Sequence, residues 1–374
     1  MRDRVTVLAP AKLNLALDVV GILPGGYHAL DMTMQAISLY ERVVIRRSPY
    51  LDLALPGSNV KPGPGNTAIK AALAFFHYTG LLAGADITIY KSVPVRAGMA
   101  GGSADAAAVL VGLNELYGAR LSMSELCALG VSIGADVPFA LMGGTCRVQG
   151  LGDLIKALPP MPECWFTVVM PDYGVSTPEA FAAYDKVGSS VHPDCAAQEA
   201  AIRAGDLDAV CAAAGNALEE CSGAKDNEAI KAALRENGAV TALMTGSGAA
   251  VFGVFRTEAE AKAAGEAAAK GAVKSSEAYS KSLALGAVMT GINDASKSTV
   301  KSMQSMTSQS VNVIKQMTNL LNATNSLLKD LEDIADVFDE YKGLPQDFTA
   351  EGKKLTELAN AAFTMDRKHS LSTA

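Results

Sequence analysis

The chain has 374 residues, of which 49% are hydrophobic and 19% charged, and a formal net charge of −7. That length and apolar content suffice for two or three domains with a sizeable core, and they exclude a disordered chain. An acidic balance with no basic stripe argues against nucleic acid as a partner, while backbone N–H groups remain able to hold a small anion.

In chain order, the N-terminus from Met1 to Pro10 is too short in apolar length for a signal peptide. No apolar run reaches the roughly 18 residues that a membrane span requires, so no membrane partner is expected and the chain reads as soluble and cytoplasmic. Residues 1–160 mix strand-like runs with glycine-rich turns. Strands are predicted at Arg4–Leu8, Leu13–Val20, Val43–Arg46 and Ile87–Tyr90, and helices at Thr67–Thr79 and Ala104–Tyr117. A second unit, 161–284, opens with a strand at Trp165–Met170. It continues through alanine-rich helices near 195–216 and 225–236, a buried strand Ala250–Phe255 and a helix Glu258–Lys270. Without strict βαβ alternation, the class is α+β. The six cysteines (Cys127, Cys146, Cys164, Cys195, Cys211, Cys221) form no CxxC pair and the four histidines no HExxH. They read as buried thiols in a reducing compartment, neither a disulfide framework nor a zinc site.

From 285 to 374 the character changes: proline nearly vanishes, cysteine is absent, and Ser, Thr, Asn, Lys and Met dominate. Val313, Met317, Leu320, Thr324, Leu327, Leu331, Ile334 and Phe338 recur at heptad spacing. Gly343-Leu344-Pro345 then breaks the pattern before a second apolar face at Leu355, Leu358, Ala359, Ala362 and Phe363. This predicts an all-α helical hairpin or coiled-coil tail of unknown role. It packs on its own chain, docks a protein partner, self-associates, or is a fusion of foreign sequence.

The most informative stretch is Pro94-Val95-Arg96-Ala97-Gly98-Met99-Ala100-Gly101-Gly102-Ser103. A glycine-rich turn runs directly into an apolar helix predicted to begin near Ser103. Glycines let a backbone approach a phosphate, and the first N–H groups of a helix point at it unpaired. Ser103 is expected to cap that helix and to offer its hydroxyl to phosphate or Mg²⁺. In isolation the same residues read better as a plain turn and N-cap. Neither GxxxxGK[ST] nor GxGxxG occurs, so the chain is not a P-loop or Rossmann protein by motif.

The stretch resembles the ATP-phosphate loop of the GHMP kinases, Pro-x-x-(Gly/Ala)-Gly-(Leu/Met)-(Gly/Ala)-Gly-(Gly/Ser)-Ser. Two further motifs of that superfamily follow the family's order: Ala9-Pro10-Ala11-Lys12-Leu13-Asn14-Leu15, and Thr245-Gly246-Ser247-Gly248-Ala249-Ala250-Val251-Phe252. The resemblance covers residues 1–283. It implies a two-lobed kinase fold, with an ATP-binding domain at 1–160 and a substrate-side domain at 161–284. It also implies ATP and Mg²⁺ as cofactors, with Pro94, Ala97, Gly98, Met99, Ala100, Gly101, Gly102 and Ser103 around the phosphates. Ser103 is the one metal ligand the residues suggest.

Four more segments are similar to the diphosphocytidyl-methylerythritol kinases within the superfamily: Gly25-Gly26-Tyr27-His28, Asn66-Thr67-Ala68, Gly134-Ala135-Asp136-Val137-Pro138-Phe139 and Ser176-Thr177-Pro178-Glu179-Ala180-Phe181. This likeness implies a small cytidyl diphosphate substrate. Tyr27 and Phe181 would stack on the two faces of its base, each stack worth about 1–3 kcal/mol, and His28 would bond the base edge. Thr177 would lie in the substrate loop, Asn66 on the adenine side, and Gly246, Ser247 and Gly248 near the substrate diphosphate. Asp136 would take the proton of the acceptor hydroxyl, Lys12 would keep that carboxylate ionised, and Asn14 would orient the acceptor. Read singly, Tyr27 and Phe181 are core aromatics, His28 is a surface or satisfied histidine, and Asp136 caps a turn. The alternatives are a mevalonate-, homoserine- or sugar-type kinase of the same superfamily, or a non-catalytic ligand-binding paralogue with a helical interaction module. The Tyr27-His28 pair, and Lys12 with Asp136 and Asn14, favour the cytidyl substrate.

Overall fold

A computed structural model describes residues 3–23 and 25–275, with side chains to 268. The expected helical tail lies outside the described residues. The elements run β1 (Arg4–Ile22), β2 (His28–Ser48), β3 (Asp52–Ala54), α1 (Thr67–Thr79), β4 (Gly84–Tyr90), α2 (Gly101–Tyr117), α3 (Met123–Ile133), α4 (Val137–Met142), β5 (Thr145–Gly150) and β6 (Leu154–Ala157). The second half adds β7 (Trp165–Val169), α5 (Thr177–Val187), α6 (Cys195–Ala204), α7 (Leu207–Ala212), β8 (Gly215–Asn216), α8 (Asn227–Glu236), β9 (Thr241–Met244), β10 (Val251–Phe255) and α9 (Glu258–Ser275).

These build two lobes of mixed α and β structure. The larger sheet has seven strands. Its path is β3-β4-β2-β1-β8, and β5 joins the first half of β2 along the edge that β4 uses further on. The smaller sheet is β7-β10-β9, antiparallel throughout. Strands β1 and β2 form one long hairpin with register shifts between Pro10 and Lys12, Asn14 and Ala16, and Val19 and Gly21. The sequence suggests two strands, Arg4–Leu8 and Leu13–Val20, and Pro10 between them cannot donate to a ladder. The structure keeps one strand and absorbs Pro10 beside a bulge, an irregularity that re-aims neighbouring side chains.

Apolar periodicity explains the layers. Val43, Ile45, Ile87 and Ile89 of the large sheet bury against Ala71 and Phe75 of α1 and against Leu110 and Leu113 of α2. The next stretch of β1 turns Leu13 and Leu15 toward Phe166 and Phe252 of the small sheet. Further on, Leu17 and Met34 meet Met244 and Phe255, with Ala261 and Ala264 of α9 closing this third cluster. Alanine on α9 lets that helix lie close to the strands.

Several boundaries differ from the sequence expectation. The helix near 195–216 is two short helices, each capped by an aspartate (Asp194 and Asp206), followed by strand β8. Helices α3, α4 and α5 were not anticipated, although α3 carries a full capping box between Ser122 and Glu125 and α5 has proline in its first turn. Of the six cysteines, four are buried, Cys127 and Cys221 are half-buried, and all are free thiols. Among the described residues, no helix is long and apolar enough to cross a membrane.

Candidate active site

A cavity of about 520 Å³ opens along the β1 motif, the glycine-rich loop, the start of α4 and the turn after β9. All the residues nominated from sequence line it except Tyr27, His28 and Gly248.

The loop is built by backbone contact. Gly98 has φ +72, and a Cβ on it would lie 2.0 Å from the Thr245 carbonyl oxygen. Gly246 has φ +57, and its Cβ would lie 2.8 Å from the Gly98 carbonyl and 3.2 Å from Lys12 Nζ. Two motifs far apart in sequence therefore meet main chain to main chain, an approach open only to glycine. Thr245, fully buried, ties the meeting to the β1 motif: its Oγ1 accepts from Asn14 N at 3.0 Å and donates to Gly98 O at 3.4 Å. Asn216 of β8 holds the same turn, donating through Nδ2 to Met244 O and Gly246 O, each at 2.8 Å. Neither Thr245 nor Asn216 was nominated as a site residue from sequence, because a buried hydroxyl or amide carries no local signature.

Helix α2 begins two residues earlier than expected, at Gly101, and its N-cap is Ala100 rather than Ser103. Ala100 sits at φ 56, a left-handed conformation that costs a non-glycine residue about 1–2 kcal/mol, and it supplies no side-chain cap. The first helical bond is Ala104 N to Ala100 O. The N–H groups of the first turn are thus left open toward the cavity, the condition for holding an anion. Ser103 lies inside this turn with its hydroxyl toward Gly134.

At the start of α4, Lys12 Nζ stands 4.0 Å from Asp136 Oδ2 and donates to Asn14 Oδ1. Lys12 is 4% exposed. Burial pulls its ammonium below the usual lysine range, and the neighbouring Asp136 carboxylate opposes that shift. Asp136 occupies the N-cap position of α4, yet its side chain makes no capping bond. Its carboxylate therefore remains available to a ligand, and the capping role suggested by Asp-Val-Pro is not what the structure shows.

At the Phe181 end of the cavity the side chains engage one another. Phe181 reaches the cavity, but one of its faces is covered by His28, with ring centroids 4.7 Å apart and planes at 24°. His28 Nε2 pairs with Asp185 Oδ1 at 2.7 Å. Tyr27 is 65% exposed at the tip of the β1–β2 hairpin. Tyr27 does not line the cavity, and the ring stacked on Phe181 is that of His28. Thr177 and Ser247 hydroxyls meet at 2.8 Å on the cavity wall, while Gly248 supports the turn from behind through its N–H to Thr245 O.

Lys91 and Asp105, which line the same cavity, belong to a charged cluster that the sequence reading missed. Lys91 Nζ contacts Glu41 Oε1 at 2.6 Å and Asp105 Oδ2 at 2.7 Å. Glu41 is fully buried and also accepts from Ser92 N and Val93 N. Burial pushes the Asp105 carboxyl up to about 6, against the pull of Lys91, and its Oδ1 has no partner. The available signal was a single charge inside the otherwise apolar run from Ala104 to Leu110.

The chain matches the family description of the GHMP kinases N-terminal domain over residues 66–144 and that of the GHMP kinases C-terminal region over 198–274. It is 42% identical to 4-diphosphocytidyl-2-C-methyl-D-erythritol kinase of Pelotomaculum thermopropionicum, over 67% of this chain and 88% of that protein. With the Desulfitobacterium hafniense kinase of the same name it is 39% identical, over 70% of this chain and 91% of the relative. A crystal structure of 4-(cytidine 5'-diphospho)-2C-methyl-D-erythritol kinase superposes with a TM-score of 0.61 at 32% identity, covering 71% of this chain and 95% of the other. Homoserine kinase from Cytophaga hutchinsonii reaches a TM-score of 0.59 at 19% identity, a likeness of fold, over 72% and 91% of the two chains.

Proposed function

As the chain belongs to the GHMP kinases, and within them to the 4-diphosphocytidyl-2-C-methyl-D-erythritol kinases, we infer that it phosphorylates the 2-hydroxyl of 4-diphosphocytidyl-2-C-methyl-D-erythritol with ATP. This is a step of non-mevalonate isoprenoid precursor synthesis. On this reading residues 1–160 supply the ATP side and 161–284 the substrate side.

The observation that carries the assignment of roles is the convergence on one cavity of an uncapped helix N-terminus and the Lys12–Asp136 pair. The first N–H groups of α2 and the loop from Gly98 to Ser103 hold the triphosphate, and Asn66 lies on the adenine side. Asp136 accepts the proton of the acceptor hydroxyl as that oxygen bonds to the γ-phosphorus and the bond from phosphorus to the ADP oxygen breaks. Lys12, buried beside it, keeps Asp136 ionised and stabilises charge on the phosphoryl group in flight. Asn14, held by Lys12 and by Thr245, orients the acceptor. Mg²⁺, when bound, offsets the charge of the β- and γ-phosphates. Ser103, in the first turn of α2 on the cavity wall, would be the residue that holds it. Among the described residues no group of three or more His, Cys, Asp or Glu side chains is gathered to hold a metal. Tyr27, His28 and Phe181 read the cytosine once His28 leaves the face of Phe181, while Thr177, Gly246, Ser247 and Gly248 face the diphosphate.

The test is ATP-dependent turnover with purified protein, comparing this cytidyl diphosphate with mevalonate and homoserine. Turnover with the cytidyl substrate should exceed the others by orders of magnitude. Activity confined to another acceptor would overturn the assignment.

A further inference from the structure

Helix α2 presents a difficulty that its own residues must solve. Its N-terminus is left uncapped toward the cavity, yet a carboxylate, Asp105, lies within its first turn and a half. Negative charge is drawn to a helix N-terminus, so this side chain is a built-in competitor for the N–H groups that hold phosphate. The structure turns it aside. Lys91, just past the end of β4, binds Asp105 Oδ2 at 2.7 Å and is itself backed by Glu41 at 2.6 Å. Glu41 is fixed in turn by the N–H groups of Ser92 and Val93.

We propose that Lys91 and Asp105 form a positioning clasp for ATP binding. The pair ties together the two ends of the segment that carries the phosphate loop, residues 91 to 105, and holds the Asp105 carboxylate off the N–H groups of α2. Three observations support this. Both residues line the same cavity as the loop. A buried group of two carboxylates and one ammonium, with Asp105 Oδ1 left unpartnered, is a poor way to gain stability, because apolar side chains of similar size commonly do as well or better. And the N-cap residue of α2, Ala100, supplies no side-chain cap.

The proposal rests on the reading that residues 98 to 103 hold the triphosphate, and a binding experiment separates the two. Titration calorimetry with a non-hydrolysable ATP analogue and Mg²⁺, without acceptor, is run on wild type, Lys91→Met, and the double variant Lys91→Met/Asp105→Leu. Lys91→Met releases Asp105 toward the N–H groups of α2, whose positive end favours its ionised form, and should weaken the analogue by about tenfold or more. In steady state it should raise the KM for ATP while kcat and the KM for the cytidyl substrate stay within about threefold. The double variant removes the competing charge and replaces the pair by apolar contact. It should recover thermal stability, and part of the affinity lost in Lys91→Met. Lys91→Met that stays folded and binds the analogue as wild type does would overturn the clasp. So would a double variant no tighter than Lys91→Met despite regained stability, since the carboxylate would then not be the competitor. A wild-type protein that fails to bind the analogue would overturn the phosphate-loop reading, and the clasp with it.

Discussion

The two ends of the cavity are held in different ways. At the glycine-rich end, the proposed phosphate site, Gly98 and Gly246 meet backbone to backbone, and Thr245 and Asn216 bind main-chain atoms. At the Phe181 end, the proposed base site, the contacts are between side chains: His28 lies on Phe181 and pairs with Asp185, while Tyr27 is exposed. What anchors that end is ionic. Arg147 of β5 forms a two-pronged bond to Asp31, three residues after His28, and also reaches Glu199 of α6. Backbone contacts preorganise an anion site at no cost at the moment of binding, whereas a base clamp made of rotamers must rearrange and so couples binding to selection.

The largest effect is expected at the reacting end. Asp136→Asn removes the proton acceptor and keeps the shape, so kcat should fall by about 10²–10⁴-fold while affinity for ATP is nearly unchanged. Near-normal turnover would remove Asp136 from the chemistry. Gly98→Ala probes the backbone contact itself. Its methyl would sit 2.0 Å from Thr245 O at a φ of +72, a conflict costing roughly 3 kcal/mol or more. Loss of activity with a lowered Tm is expected, and a Tm equal to that of wild type would show that the contact is looser than described. At the base end, Tyr27→Ala and His28→Ala should each raise the KM for the cytidyl substrate by about tenfold, in line with the worth of one stacked or bonded base contact. The KM for ATP should not move. If it does, the hairpin tip belongs to the nucleotide site, and the contrast between the two ends fails.

The smallest effect concerns the ionic anchor. The Glu199 carboxyl is held down at about 2, chiefly by Lys156 and also by Arg203 and Arg147, against a burial effect in the other direction. A depressed acid contributes stability above its unfolded pKa and loses it as pH falls toward the folded value. The contribution should therefore be present at neutral pH and disappear between roughly pH 5 and pH 2. Because Lys156 and Arg203 are 61% and 46% exposed, screening limits it to about 1 kcal/mol. Glu199→Gln should lower the Tm slightly at pH 7 and flatten its fall in acid. An unchanged acid limb would dismiss this anchor.

The glycine-rich turn and the helix that follows it were legible in the sequence, because clustered glycines before an apolar run announce a turn into a helix. Helix α1 runs over Thr67–Thr79 as expected, and the structure adds that Asn66 caps it, its Oδ1 accepting from Ala68 N. The meeting of Gly98 with Thr245 was not legible, since nothing near either residue names the other. Lys91 and Glu41 were silent for the same reason: an ion pair across strands leaves no periodicity. Helix α4, a single short run of six residues, is too brief for a 3.6-residue pattern to declare itself. Which ring covers Phe181 was not legible either, because the approach of His28 to it depends on rotamers and not on spacing.

Strand β8 carries a consequence for how this protein is made. It contributes only Gly215 and Asn216, yet these pair in parallel with Ala16 and Leu17 and finish the edge of the large sheet. During synthesis the N-terminal strands leave the ribosome long before residue 216 exists, so the β1 edge waits unpaired through much of translation. Exposed strand edges are templates for aggregation, and pairings this distant in sequence form late. A nascent chain stalled shortly before residue 215 should therefore engage chaperones strongly, and one stalled well beyond the small sheet should release them. Splitting the gene between the lobes should likewise give an N-terminal fragment that stays soluble only when its missing strand is supplied.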